Sequence, residues 1–293
     1  MLTMRQIFTS VANDLIESDP RVAVTLADIG AGSFSPSDRV INVGIREQAL
    51  IGVTAGLALS GLRPIAHTYA PFLIERPFEQ IKLDFGHQNL GAVLVSIGAS
   101  YDAAREGRTH QAPGDVAVLA TLPDWTIQIP GHPDEAATML RKAAKNDDKV
   151  YIRLAEDTNQ TAYPVTGGLI EVRKGHQGGP TVIAVGPMLD RVVAAVEGFN
   201  ATVLYASTVR PLDAAGLRRS LTGTDVVLVE PYLEGTSAAV VTAAVHRPIR
   251  LLSIGVPNKE HRRYGTRHHH AADHGLDGAG LRSRIAGFLS DQV

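Results

Sequence analysis

One carboxylate, Glu47, stands where a short strand pattern and a glycine turn give way to an apolar helix. The segment Asn42-Val43-Gly44-Ile45-Arg46-Glu47-Gln48 is followed by the apolar and small run Ala49 to Ala58. An acid at that position either favours the helix dipole or, with apolar residues packed behind it, holds or shares a proton at neutral pH. Tyr69, Phe72 and Phe78 lie close together in the segment Thr68 to Gln80, which also carries Arg76, in a chain that is only 5% aromatic. Such a cluster packs a core or walls a flat heteroaromatic ring. Glu106 and His110 lie in the loop Arg105 to Gln111, after the apolar run Ala92 to Ile97. His110 is a solvated loop side chain, or a group that moves protons and hydrogen-bonds a sugar hydroxyl. Asp28 follows the first strand pattern, as an Asx-turn residue or a functional acid. Arg153 ends another strand, where its fork could clamp a phosphate or pair with Glu156 or Asp157.

The elements that must carry these groups alternate in α/β fashion. Strands are expected at Val22 to Leu26, Val40 to Val43, Pro64 to His67, Ala92 to Ile97, Thr126 to Ile129 and Val150 to Leu154. Helices are expected at Met4 to Ser18, Gln48 to Leu59, Phe72 to Phe85, Val116 to Ala120 and Pro133 to Ala144. From Glu156 to Pro180 the pattern dissolves into Asn, Gln, Thr, Pro and Gly, which reads as a domain junction. A shorter α/β unit follows, with strands at Thr181 to Val185, Thr202 to Tyr205, Val226 to Glu230 and Ile249 to Ile254. Its helices are expected at Leu189 to Phe199, Asp213 to Ser220, Ala238 to Ala244 and Leu281 to Leu289, with Gly275 to Gly280 as a loop. The chain therefore reads as two consecutive α/β domains, 1–160 and 179–293, joined by a linker at 161–178.

Composition narrows the chemistry. With 44% hydrophobic and 20% charged residues and a net charge of -2, nothing invites nucleic acid or a membrane, and a cytoplasmic location is expected. Zero cysteines remove thiolate nucleophiles and the commonest zinc ligands. Covalent chemistry must come from another side chain or from a cofactor. There is no P-loop, no Gly-x-Ser-x-Gly elbow and no Gly-x-Gly-x-x-Gly after a first strand.

Taken in order, Asn42 to Gln48, Arg76-Pro77-Phe78-Glu79-Gln80-Ile81-Lys82, Glu106-Gly107-Arg108-Thr109-His110-Gln111-Ala112-Pro113 and Asp124 to Pro130 closely resemble the pyrimidine-binding domain of transketolases. Val182 to Met188, Thr208 to Asp213, Val227 to Pro231 and His274 to Asp277 resemble the transketolase C-terminal domain. The resemblance gives Glu47 the role of the acid that hydrogen-bonds N1′ of thiamine diphosphate and activates the cofactor. It makes Phe72 the ring that stacks on the pyrimidine, beside Tyr69, with Asp28 and Arg76 near the cofactor. His110 and Glu106 would meet the donor sugar, and Arg153 would bind its phosphate. Two departures stand out: Glu106 and Arg108 replace Asp and Pro of the usual Asp-Gly-Pro-Thr-His loop, and a histidine many members carry before that loop is replaced around Gly98.

Transketolases hold the diphosphate and a divalent metal through a Gly-Asp-Gly motif in a preceding domain, which is not found here. The resemblance thus implies the C-terminal subunit of a split transketolase. A partner N-terminal subunit would carry that motif with Mg²⁺ or Ca²⁺, and this chain would itself supply no metal ligand. An α2β2 heterotetramer with self-association of this chain, acting on sugar phosphates, is the expected assembly. The alternatives are a deoxyxylulose-phosphate-synthase-like, acyloin-forming or 2-oxoacid dehydrogenase beta-type subunit, or a regulatory subunit without catalysis.

Overall fold

The computed structural model describes residues 2–291. In chain order the strands are β1 (Val22–Leu26), β2 (Val40–Asn42), β3 (Arg63–Tyr69), β4 (Ala92–Ile97), β5 (Trp125–Gln128) and β6 (Lys149–Arg153). They continue as β7 (Ile170–Arg173), β8 (Thr181–Val185), β9 (Thr202–Ala206), β10 (Thr208–Arg210), β11 (Asp225–Leu233) and β12 (Arg250–Val256). A seven-stranded sheet has the order β10-β5-β6-β4-β3-β1-β2, and a five-stranded sheet the order β12-β11-β8-β9-β7. Both are parallel except at the antiparallel edge strands β10 and β7. Every residue of β1, β4 and β6 is buried, as strands covered by helices on both faces must be. The helix Met4–Ser18 shows how those covers form. A Thr3/Gln6 capping box starts it, and Met4, Phe8, Val11, Ala12, Leu15 and Ile16 recur at helical spacing to face the sheet.

Three expectations need correcting. The segment 161–178 is not simply a linker, because β7 lies within it and pairs with β9, with Ile170 and Val172 packed on the second core. Its Gly and Thr content hides the strand, whose pattern is short and half-exposed. β10 likewise has no counterpart among the expected strands; it leaves the second unit and adds an edge to the first sheet at β5. One apolar cluster therefore runs from Leu50 and Ile127 in the first unit to Ile183 and Leu228 in the second, so the units share a core. The expected helix Phe72 to Phe85 is π-helical at Pro71–Glu75 and Ile81–His87 around a short α-helical turn, Phe78–Gln80. Smaller differences lie in the second unit: the helix from Leu189 stops at Ala195, the His-rich run forms the helix Arg267–Asp273, and Gly278 to Gly280 open the last helix under an Asp277 cap.

Glu230, in the middle of β11, is fully buried. One carboxyl oxygen accepts the Ser237 N–H at 3.0 Å and the other has no partner. Burial pushes this carboxyl from the ordinary 4.5 up to about 7. The folded chain therefore holds a proton that the unfolded chain has lost, and stability falls as pH rises from about 4.5 to about 7. Glu230→Gln removes that dependence. At pH 8 the variant should be more stable by roughly 3 kcal/mol, and near pH 4 the two should match. Urea midpoints at both pH values test this, and equal midpoints at pH 8 would contradict it.

Candidate active site

The parallel strands β1, β2, β3, β4 and β6 end at one edge of the first sheet, and the candidate residues follow those ends, as expected of an open α/β sheet. Asn42 organises the first two loops: its Oδ1 accepts the Asp28 N–H at 2.9 Å and the Gly44 N–H at 3.0 Å. Gly44, at φ 71°, supplies the left-handed turn that leads into the helix Glu47–Leu59. Glu47 is the first residue of that helix and only 2% exposed. Arg76 Nη1 donates to its Oε2 at 2.7 Å. Its Oε1 has no hydrogen-bond partner among the described residues.

The π turn explains how Arg76 gets there. Arg76 N–H bonds Pro71 O at 3.0 Å, five residues back, so the extra residue in the turn swings Arg76 over the Phe72 ring. The guanidinium sits 4.1 Å from that ring's centroid, so one cation contacts both the acid and the aromatic platform. The His110 ring lies edge-on to Phe72 at 5.0 Å and to Tyr69 at 5.5 Å. The Thr109 hydroxyl occupies His110 Nδ1 at 3.0 Å, and Nε2 has no hydrogen-bond partner among the described residues. Glu47, Arg76, Phe72, His110 and Tyr69 thus form one continuous row of contacts, although 63 positions separate its first and last members in sequence (110 − 47). Gly98, at φ 71°, closes the row: a Cβ there would come within 2.3 Å of the Tyr69 ring. That contact and the left-handed φ are the physical reason for a glycine at this position.

A cleft of about 730 Å³ adjoins the row, sharing Tyr69 with it and adding Glu106, Arg5, Asp102, Glu156 and Arg267 to its walls. Glu47, Phe72 and His110 do not line it. The Asp102 carboxyl accepts the Glu156 N–H at 2.9 Å, and burial pushes it up to about 7 against that hydrogen bond. Arg267 bonds Glu156 at 2.6 Å and Asp157 at 2.9 Å. Asp102 and Arg267 had no sequence signal, because Asp102 meets Glu156 across 54 positions of the first unit and Arg267 reaches Glu156 from the second unit. Asp28 remains at the same edge, exposed and at φ 67°, with its backbone tied to Asn42.

The expectation for Arg153 is corrected. This residue is 1% exposed, bonded through Nε to Asp115 at 2.7 Å and through Nη2 to Ser100 at 2.7 Å. The Tyr151 hydroxyl donates to the same Asp115 oxygen at 2.7 Å, and Ser100 donates on to the Pro231 carbonyl. Two of the three Arg153 nitrogens are thus taken by protein groups on a side chain that is buried, and its partner is Asp115 rather than Glu156 or Asp157. Among the described residues, no group of three or more His, Cys, Asp or Glu could hold a metal ion, and no helix is long and apolar enough to cross a membrane.

Comparison with known proteins agrees with this architecture. Residues 1–160 match the family model for the transketolase pyrimidine binding domain. The chain is 47% identical to an "uncharacterized 33.6 kDa protein in fasciation locus" of Rhodococcoides fascians, over 96% of this chain and 93% of that protein. It is 30% identical to an apulose-4-phosphate transketolase subunit of Actinobacillus succinogenes, covering 92% of each. A 1-deoxy-D-xylulose-5-phosphate synthase of Thioalkalivibrio sulfidiphilus is 30% identical over 98% of this chain but only 47% of its own length, so the chain spans about half of that relative. A solved structure described as "Split gene transketolase, inactive beta4 tetramer" superposes with a TM-score of 0.82 at 25% identity, covering 99% of this chain and 98% of that one. The chain belongs to the transketolase family, a family that depends on thiamine diphosphate, and its two sheets match the pyrimidine-binding and C-terminal domains.

Proposed function

We propose that this chain is the C-terminal subunit of a split transketolase that moves a two-carbon ketol unit between sugar phosphates, with thiamine diphosphate held at the interface with an N-terminal partner. The observation that carries this reading is the row Glu47, Arg76, Phe72, His110 and Tyr69. The donor set fits an aminopyrimidine: a buried acid with one oxygen fixed by Arg76 and the other unpartnered, beside a half-exposed aromatic ring. It offers nothing for a diphosphate-bound cation, which the reading assigns to the partner's Gly-Asp-Gly motif, with Mg²⁺ or Ca²⁺ as the ion. When bound, thiamine diphosphate supplies the nucleophilic carbon and electron sink that a chain without cysteine lacks.

The chain's own groups have distinct tasks in this reading. Glu47 holds or shares a proton at Oε1, while Arg76 keeps the acid in one rotamer. Phe72 and Tyr69 orient a flat ring and exclude water from it. His110 presents Nε2 to the donor's hydroxyls and moves protons there. Glu106 lines the adjoining cleft, as Tyr69 does. Asp28, on the exposed loop tied to Asn42, stands near the cofactor. The split-transketolase structure and the relatives named as apulose-4-phosphate transketolase subunits support an assembly with a partner chain, which this reading takes to be an α2β2 heterotetramer in the cytoplasm.

Mixing the purified chain with an N-terminal partner, thiamine diphosphate and Mg²⁺, then assaying ketol transfer from a ketose phosphate to an aldose phosphate, tests the proposal. Activity should require both chains, and His110→Ala should lower kcat/KM by about 10²-fold. Decarboxylation of pyruvate without ketol transfer would favour the synthase-like alternative, consistent with the Thioalkalivibrio relative. Failure to bind cofactor with any partner would favour a regulatory subunit.

A further inference from the structure

The His110 loop does not rest only on its own sheet. Gly107 holds φ 74° and ψ -161°, a conformation open essentially to glycine alone. A Cβ at Gly107 would also come within 2.5 Å of the Tyr264 ring, which comes from the second unit. On the next residue, Arg108 Nε lies 3.6 Å from the Glu260 carboxylate. Tyr264 and Glu260 belong to the connection between β12 and the helix Arg267–Asp273. That connection is fastened on both sides of Tyr264. Before it, the His261 ring packs on His270 at 4.3 Å and on His274 at 5.0 Å, with Asp273 3.6 Å from His261 Nε2. After it, Thr266 caps the helix and Arg267 is tied to Glu156 and Asp157. The far end of the loop is held from the second unit as well, where the Leu233 N–H donates to Pro113 O at 2.7 Å.

We propose that the second unit positions His110: Tyr264 on Gly107 and Glu260 on Arg108 form a clasp that fixes the loop Arg105 to Gln111, so that the His110 ring keeps its edge-on contacts with Tyr69 and Phe72. The proposal rests on the reading of His110 as the donor-facing histidine, and goes beyond it by giving the second unit a part in the site. Tyr264 is 74% exposed, and the Arg108 and Glu260 side chains are about half exposed. Such contacts contribute little to global stability. Their effect falls on the geometry of the loop, where a displacement well short of unfolding costs reactivity. Tyr264 is therefore a positioning residue that acts through Gly107.

Histidine-selective isotope labelling of the isolated chain reads the clasp directly. The His110 ring signal, assigned by its loss in His110→Gln, should carry an upfield or downfield displacement from the Tyr69 and Phe72 rings. Tyr264→Ala should move that signal toward the free-histidine position. Tyr264→Phe, which keeps the ring on Gly107, should restore it, and Gly107→Ala should move it as Tyr264→Ala does. The Trp125 indole signal and the melting temperature should stay unchanged in Tyr264→Ala, which separates positioning from folding. In the reconstituted complex, Tyr264→Ala should raise KM for the donor on the order of tenfold with kcat nearly kept. An unmoved His110 signal in Tyr264→Ala overturns the clasp. A moved signal with no ketol transfer by the wild-type complex leaves the clasp standing and overturns the transketolase reading instead.

Discussion

Glu47→Ala should lower ketol transfer by the reconstituted complex on the order of 10³-fold while leaving the chain folded. The magnitude follows from the role: a positioned proton-holding group contributes about 10²- to 10⁴-fold, and nothing else in the row can take its place. Arg76, His110 and the two aromatic rings lack a carboxylate, and Glu106 lies on the cleft side of Tyr69. The stability cost should be small, within about 1 kcal/mol, because Arg76 is 40% exposed on its side chain and can turn to water when its partner is removed. Glu47→Gln keeps an acceptor but cannot exchange a proton, and it should be nearly as inactive as Glu47→Ala. Initial rates of ketol transfer, with circular-dichroism melts of each variant, decide the matter. Full activity in Glu47→Ala would sink the mechanism.

Asp115→Ala should cost about 3 to 5 kcal/mol of stability, because it leaves the Arg153 guanidinium charged and unpaired in the interior. Asp115 is fully buried, and its Oδ2 accepts from both Arg153 and Tyr151 while Oδ1 caps the Val116 N–H at 2.8 Å. Through Ser100 and the Tyr232 ring, 5.6 Å from the Arg153 guanidinium, the pair also ties the first sheet to the second unit. Replacing both charges together, as Asp115→Leu with Arg153→Met, should recover most of the loss, since two apolar groups leave no orphaned ion. Urea unfolding of the single and double variants measures the coupling. A phosphate-binding Arg153 would behave otherwise: Arg153→Met would raise KM for phosphorylated sugars and leave the unfolding midpoint where it was.

The residues differ in how far local sequence can speak for them. Glu47 is legible because a glycine turn followed by an apolar run places a carboxylate at a helix start whatever surrounds it. Phe72, Tyr69 and His110 are legible as a set through the order of their motifs, but not as a contact. Arg153 is open to misreading because a strand end looks the same in sequence whether the arginine meets solvent or a buried aspartate 38 positions earlier. β7 and β10 escape for a related reason. Short edge strands take their stability from the neighbour they pair with, and their own residues carry only a weak alternating pattern.

By itself the sequence determined the alternating α/β elements, the absence of a thiol nucleophile and the chemical types present at one sheet edge. Periodicity, turn residues and composition act over a few residues and need no distant partner. Only the tertiary structure decided that Arg76 reaches both Glu47 and Phe72, that Tyr69 fills the space left at Gly98, that Arg153 is spent on Asp115, and that Tyr264 lies on Gly107. Each of these depends on where parallel strands end and on how two units pack over a common core, and those distances are set by the folded chain as a whole.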